Sequence, residues 1–165
     1  MLKGFITNLG KYNEGILQGE WIDFPISEDE LEEVLERIGI NEEYEEFFFT
    51  DWECEVDIDA LDAYEDIDAI NELAENLEEF ERYDEIDKLE AIMEATGDNI
   101  FDAITYMDDA VFYSGYTLEE VAEEIVSDCY DLPEIALRYF DYEAFARDLS
   151  FDGYTETDFG VICIN

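Results

Sequence analysis

Thr117-Leu118-Glu119-Glu120-Val121-Ala122-Glu123-Glu124-Ile125-Val126 decides how this chain is read. Thr117 and Glu120 stand at capping-box spacing, in which two side chains satisfy backbone N–H groups at a helix N-terminus. Leu118, Val121, Ala122 and Ile125, continued by Cys129, recur at helical period and make one apolar stripe. Glu119, Glu120, Glu123 and Glu124 face the other way. The segment predicts a helix with an apolar inner face and a carboxylate outer face. Glu119 with Glu123 and Glu120 with Glu124 are like-charged pairs four residues apart, each costing an isolated helix about 0.2–0.5 kcal/mol. A surface tuned for stability would place Lys at such positions.

Outward from this segment the pattern repeats. Ser27 and Glu30 form another capping box, Leu31, Val34, Leu35 and Ile38 the stripe, and Gly39 the stop. Glu28 with Glu32, and Glu32 with Glu36, are again like-charged. Ile70, Leu73, Ala74, Leu77 and Phe80 predict a helix with Glu72, Glu75 and Glu79 outside. Ile86, Leu89, Ile92, Met93 and Thr96 predict the next. Gly97 then breaks the chain, and Asp98 is expected to cap a helix running through Ile100, Ile104 and Met107. Short helices are expected after Leu132-Pro133 and Asp141.

Strands are expected at Phe5–Leu9 and Ile16–Phe24, around a Lys11–Gly15 turn, and at Phe47–Asp59 and Phe159–Ile164. Asp51, Glu53, Glu55, Asp57 and Asp59 alternate strictly with other residues. On a continuous strand they would share one face, about 6.6 Å apart. The fold class is α+β. Three small modules are expected: residues 1–60 mixed, 61–109 helical and 110–165 mixed. Each core is thin, and an elongated arrangement separates the charges.

Charge narrows the function. Asp and Glu number 49 against 7 Lys and Arg, with no His, for a net charge of -42 on 165 residues. Such a chain repels itself, and a strongly positive partner relieves that repulsion. Proteins that bind nucleic acid are the largest class of such partners. Duplex DNA carries one charge per ~1.7 Å of axis, so this charge matches roughly 21 base pairs. A hydrophobic fraction of 48% and an aromatic fraction of 15% exclude a disordered tail.

Other classes are poorly supported. Without His the commonest general base is missing. Ser27, Ser114, Ser127 and Ser150 lack a nucleophile elbow, and no glycine loop cradles phosphate. No catalytic residue and no cofactor is expected. Asp57–Asp62 resembles the start of a calcium loop, but Leu61 offers no ligand and Asp62 stands where the turn needs Gly. No specific metal site is expected. Cys54, Cys129 and Cys163 fit no zinc pattern and read as buried thiols of a cytoplasmic protein. No apolar run suits a membrane span or signal peptide. The charge argues against direct contact with nucleic acid or anionic lipid.

Ala110-Val111-Phe112-Tyr113-Ser114-Gly115-Tyr116-Thr117-Leu118 is the longest uncharged run. Either it buries a connection between modules, or Ala110, Val111, Phe112 and Tyr113 form the core of a homodimer contact. Two rival functions also stay open: a general polyanion that binds basic proteins, and a salt-adapted acidic protein.

Residues 117–126 resemble the antirestriction motif of the ArdA antirestriction proteins. Phe5-Ile6-Thr7-Asn8-Leu9-Gly10-Lys11-Tyr12-Asn13-Glu14-Gly15, followed by Gly19-Glu20-Trp21, is similar to that family's N-terminal segment. The resemblance implies a DNA mimic carried by conjugative plasmids or transposons. It would occupy the DNA-binding groove of type I restriction–modification enzymes, with the outward acids standing in for phosphates. It also implies an elongated dimer joined through the C-terminal parts.

Overall fold

The strand that organises the first half of the molecule is only six residues long. It is β1 (Lys3–Asn8). A computed structural model describes residues 1–164, which divide into two compact units with the boundary between Asp84 and Glu85.

In the first unit β1 is the centre of an antiparallel sheet, between β2 (Gly19–Asp23) and β3 (Phe47–Glu53). The register shifts between Phe5 and Ile6, so Phe5 opposes Asp51 and Ile6 opposes Phe49. Gly4 has no side chain, which lets Phe49 and Trp52 stack across it with ring centroids 4.4 Å apart. The Lys11–Gly15 turn expected from sequence gives way to a short helix, α1 (Leu9–Asn13), with only Gly15 in the left-handed region behind it. Its cause is Asn8, whose side chain caps it by accepting from the Lys11 N–H at 2.9 Å.

Helix α2 (Glu28–Arg37) starts at the Ser27–Glu30 capping box, formed in both directions, and Gly39 follows at φ +82. Helix α3 (Ile67–Tyr83) buries Ile70, Leu73, Ala74, Leu77 and Phe80, the whole expected stripe. The Asn71 amide on the same helix holds both the N–H (2.7 Å) and the carbonyl (2.9 Å) of Ile26. That bond pins α3 to the connection between β2 and α2.

The strand expected at Phe47–Asp59 ends at Glu53. Glu53 opposes Lys3, the first residue of β1, so there is no strand backbone left for later residues to pair with. Asp51, Glu53, Glu55, Asp57 and Asp59 are all exposed, but only the first two lie on a strand. Asp57 makes a local turn instead, its Oδ1 accepting from the Asp59 N–H at 3.0 Å.

In the second unit β6 (Gly160–Cys163) is buried along its full length between the edge strands β4 (Val111–Ser114) and β5 (Tyr154–Thr157). The closing strand agrees with the expectation; its central place, and the edge strands β4 and β5, do not follow from the sequence pattern. Four residues each, they are too short to show a period of two. Gly160 sits at φ +140, and a Cβ there would strike the Tyr113 carbonyl oxygen, so only glycine lets β4 approach β6 so closely.

Helix α4 (Ile86–Thr96) packs on β5 and β6 through Leu89, Ala91 and Ile92. Helix α5 (Ile100–Ile104) is capped by Asn99, not by the expected Asp98, and ends before Met107, which is buried in the turns beyond. Asn99 wins because its Oδ1 reaches the N–H groups of both Phe101 (2.9 Å) and Asp102 (3.2 Å). Helix α6 (Leu118–Cys129) lies against α8 (Tyr142–Phe151), and α7 (Glu134–Arg138) runs between them in sequence. Val121, Ala122, Ala146, Leu149 and Val161 form the shared core. Val126 is buried and Cys129 exposed, reversing the expected end of the stripe. The helices of the 61–109 segment are thus divided, α3 in the first unit and α4 and α5 in the second.

Glu90 on α4 has its carboxyl pKa raised, first by burial and then by the charge of Asp87. A carboxyl raised on folding destabilises only when ionised, so the penalty is full above its folded pKa and vanishes below its unfolded one. Glu90→Gln should raise stability at pH 7 by about 0.2–0.5 kcal/mol, the size of a like-charge helical pair. Thermal unfolding at pH 7 and again at pH 4 should show the gain shrinking with acid.

Candidate functional site

The outward faces of the helices carry the candidate residues. Glu28, Glu32 and Glu36 on α2, Glu72, Glu75 and Glu79 on α3, and Glu119, Glu120 and Glu123 on α6 are all exposed. Glu124 departs from the expectation: it is half-buried beside Tyr116, and its charge is the first cause raising that phenol's pKa. Glu120 serves the fold. Its Oε2 accepts from the Thr117 N–H (2.8 Å) and hydroxyl (3.1 Å), which holds its carboxyl below the ordinary range. Glu30 is lowered in the same way, first by the Ser27 hydroxyl and then by the Ser27 N–H. Glu156 adds to the start of α6 by accepting from the Leu118 N–H at 2.7 Å. Within the 117–126 motif, then, Glu120 caps, Glu119 and Glu123 face solvent, and the apolar residues pack.

Five basic residues, Lys3, Lys11, Arg37, Arg138 and Arg147, answer acids of this same chain. Lys3 lies 3.6 Å from Asp23, Lys11 3.2 Å from Glu14, Arg138 3.8 Å from Glu134, and Arg147 3.5 Å from Asp148. Arg37 bridges Glu20 (2.5 Å) and Glu33 (3.8 Å). Lys88 donates to the Met107 carbonyl at 2.7 Å. Exposed pairs of this kind contribute little stability.

The uncharged run is part strand. Ala110 is buried, Val111 is 46% exposed, and Phe112 and Tyr113 are half-buried on β4. Tyr113 packs against the core shared by α6 and α8. Because β4 is an edge strand, its outer backbone lacks the pairing that β6 supplies on the inner side.

The sequence reading missed a furrow on the first unit. Phe47, Phe48, Tyr64 and Asp66 line a cavity of about 440 Å³. Two neighbouring cavities share lining residues in turn: one of about 450 Å³ shares Phe47 and Tyr64 with the first, and one of about 410 Å³, reaching Tyr44, shares Glu45 and Glu46 with the second. The only sequence signal was the run Glu42-Glu43-Tyr44-Glu45-Glu46-Phe47-Phe48-Phe49, acids and rings together.

Among the described residues no group of three or more acid or cysteine side chains is placed to hold a metal ion. No helix there is long and apolar enough to cross a membrane. Cys163 is buried, Cys54 half-buried and Cys129 exposed, so the expectation of buried thiols fails at Cys129.

Two small antiparallel sheets, accompanied by amphipathic helices whose outer faces carry carboxylates, make an α+β protein. The family model of the antirestriction protein ArdA matches residues 5–162. The chain belongs to the ArdA antirestriction family. Compared with the curated proteins, it has no match.

Proposed function

We propose that this protein is a stoichiometric DNA mimic that occupies the DNA-binding groove of type I restriction–modification enzymes, without turnover. It would block restriction, and modification with it, in the cytoplasm of a cell receiving a plasmid or transposon. The observation that carries this is the fate of the charges. Lys3, Lys11, Arg37, Arg138 and Arg147 pair with acids of the chain, while Glu28, Glu32, Glu36, Glu72, Glu75, Glu79, Glu119 and Glu123 stay in solvent. Acids one helical turn apart advance about 5.4–6 Å, near the ~6.8 Å step between two phosphates on one strand. Lys and Arg of the groove would meet carboxylates where they expect phosphates. Specificity would come from charge spacing and shape, since base edges have no counterpart.

Competition tests it. The protein should displace duplex DNA from a purified type I methyltransferase at fixed stoichiometry and physiological salt. Loose binding to many basic proteins in variable ratio would favour a general polyanion instead, and no displacement would leave a salt-adapted protein. The footprint is spread out, so Glu28→Ala, Glu75→Ala or Glu123→Ala should each cost under about 1 kcal/mol of affinity.

The active particle is proposed as a homodimer, with the edge strand β4 supplying Val111 and Phe112 at the contact. Phe112→Asp would set carboxylates of two polyanions against each other. Sedimentation should then show half the native mass, and an unchanged mass would remove β4 from the interface.

A further inference from the structure

We propose that the furrow of the first unit is an arginine-binding site, which takes a guanidinium group from a basic partner protein. The proposal rests on the reading of the protein as a partner of basic grooves, and adds to it a defined point of contact.

The walls are aromatic. Phe48 and Tyr64 lie nearly parallel, with ring centroids 5.9 Å apart and planes at 25°. Tyr12 meets Phe48 edge-on at 5.1 Å. Tyr64 is nonetheless 68% exposed. A large ring held by a neighbour yet open to solvent offers a face to a cation. The rim is acidic: Glu65, Asp66 and Asp68 line the same cavity. The positive pole of α3 lies here too, but Asp66 already caps it by accepting from the Asp68 N–H at 2.8 Å. Three carboxylates against about half a positive charge leave the rim attractive to cations.

The chain fills this chemistry once with a side chain of its own. Beside Tyr44, which lines the last of the three cavities, the Lys11 ammonium sits 3.9 Å from the centre of the Tyr44 ring, donating to Tyr44 Oη at 2.8 Å and to Glu14 Oε2 at 3.2 Å. The Tyr44 hydroxyl and Glu14 together hold Lys11 above its ordinary pKa. Ring and carboxylate thus already trap a cation in this protein, and Tyr64 with the α3 acids repeats the pair with an open cavity in front. The occupant is arginine rather than lysine for a physical reason. A guanidinium is planar, weakly hydrated and able to stack on a ring while its edge donates to a carboxylate, whereas an ammonium keeps its water.

The test titrates the full-length protein with hexa-arginine and, separately, hexa-lysine, which carry equal charge. Hexa-arginine should shift the Tyr64 and Phe48 ring-proton resonances and bind about tenfold more tightly than hexa-lysine. Tyr64→Leu, which keeps apolar bulk at an exposed position, should bring the two peptides to within about twofold. Equal affinities in the native protein would overturn the proposal, and so would a preference that survives Tyr64→Leu with the native ring protons unmoved. The native titration needs no variant to fold. Duplex displacement from a type I methyltransferase is read in parallel. Displacement without arginine preference removes the site and leaves the mimic, while preference without displacement does the reverse.

Discussion

Raising NaCl from 0.05 to 0.2 M should weaken the hold of this protein on a type I methyltransferase by about 10³-fold. Binding through many carboxylates and a basic groove releases small ions, as DNA binding does, and each ion pair adds to the slope against log salt. A loss of that size is what a protein gripping six or more phosphates shows, and here carboxylates take their place. The free protein should respond in the opposite sense. Its charge of -42 lies on a single chain, and exposed like charges are screened beyond ~10 Å at 0.1 M salt. Denaturant unfolding across the same interval should therefore show rising stability. The opposed signs make the experiment decisive. A complex indifferent to salt would rule out an electrostatic mimic, and a free protein weakened by salt would show that self-repulsion is not its main burden.

Asn8→Ala should destabilise the first unit by about 3–5 kcal/mol. Asn8 is fully buried. Its Oδ1 accepts from the Lys11 N–H, and its amide donates to the carbonyls of Ile38 (3.2 Å) and Gly39 (3.1 Å). One side chain therefore caps α1 and closes α2. Truncation would leave the Lys11 N–H and two carbonyls without this partner, at about 1–3 kcal/mol for each group that stays buried. Asn8→Asp tests the cause. It keeps the cap acceptor but loses the amide donor, and aims a carboxylate at two carbonyls. It should be as damaging as Asn8→Ala, or more so, in urea unfolding. A loss below about 1 kcal/mol for either variant would mean that water replaces the amide.

The same residue shows what a sequence motif can hide. Asn8 lies in the Phe5–Gly15 segment that carries part of the family resemblance, yet its work is structural. In the 117–126 motif Thr117 and Glu120 likewise build the start of α6, and Val121 and Ala122 its packed face. Only Glu119 and Glu123 are left free to meet a partner. The acids of the candidate surface were legible because burial follows helical period: a residue opposite an apolar stripe must face out. Glu124 escaped that rule because Tyr116, from the loop before α6, leans over it. The furrow was not legible at all. It needs β3 paired to β1, and it needs the Phe49 N–H bonded to the Ala63 carbonyl at 2.7 Å, which sets Tyr64 over Phe48.

By itself the chain determined every helix but α1, its two capping boxes, its family and its excess of negative charge, because each of these is local or additive. Periodicity and caps act within a few residues, and charge simply sums. The tertiary structure decided where β3 stops, that the last strand lies in the middle of its sheet, and which thiol is exposed. Those outcomes depend on which backbone is available to pair and which helix arrives to cover a face, and both are settled between segments far apart in sequence.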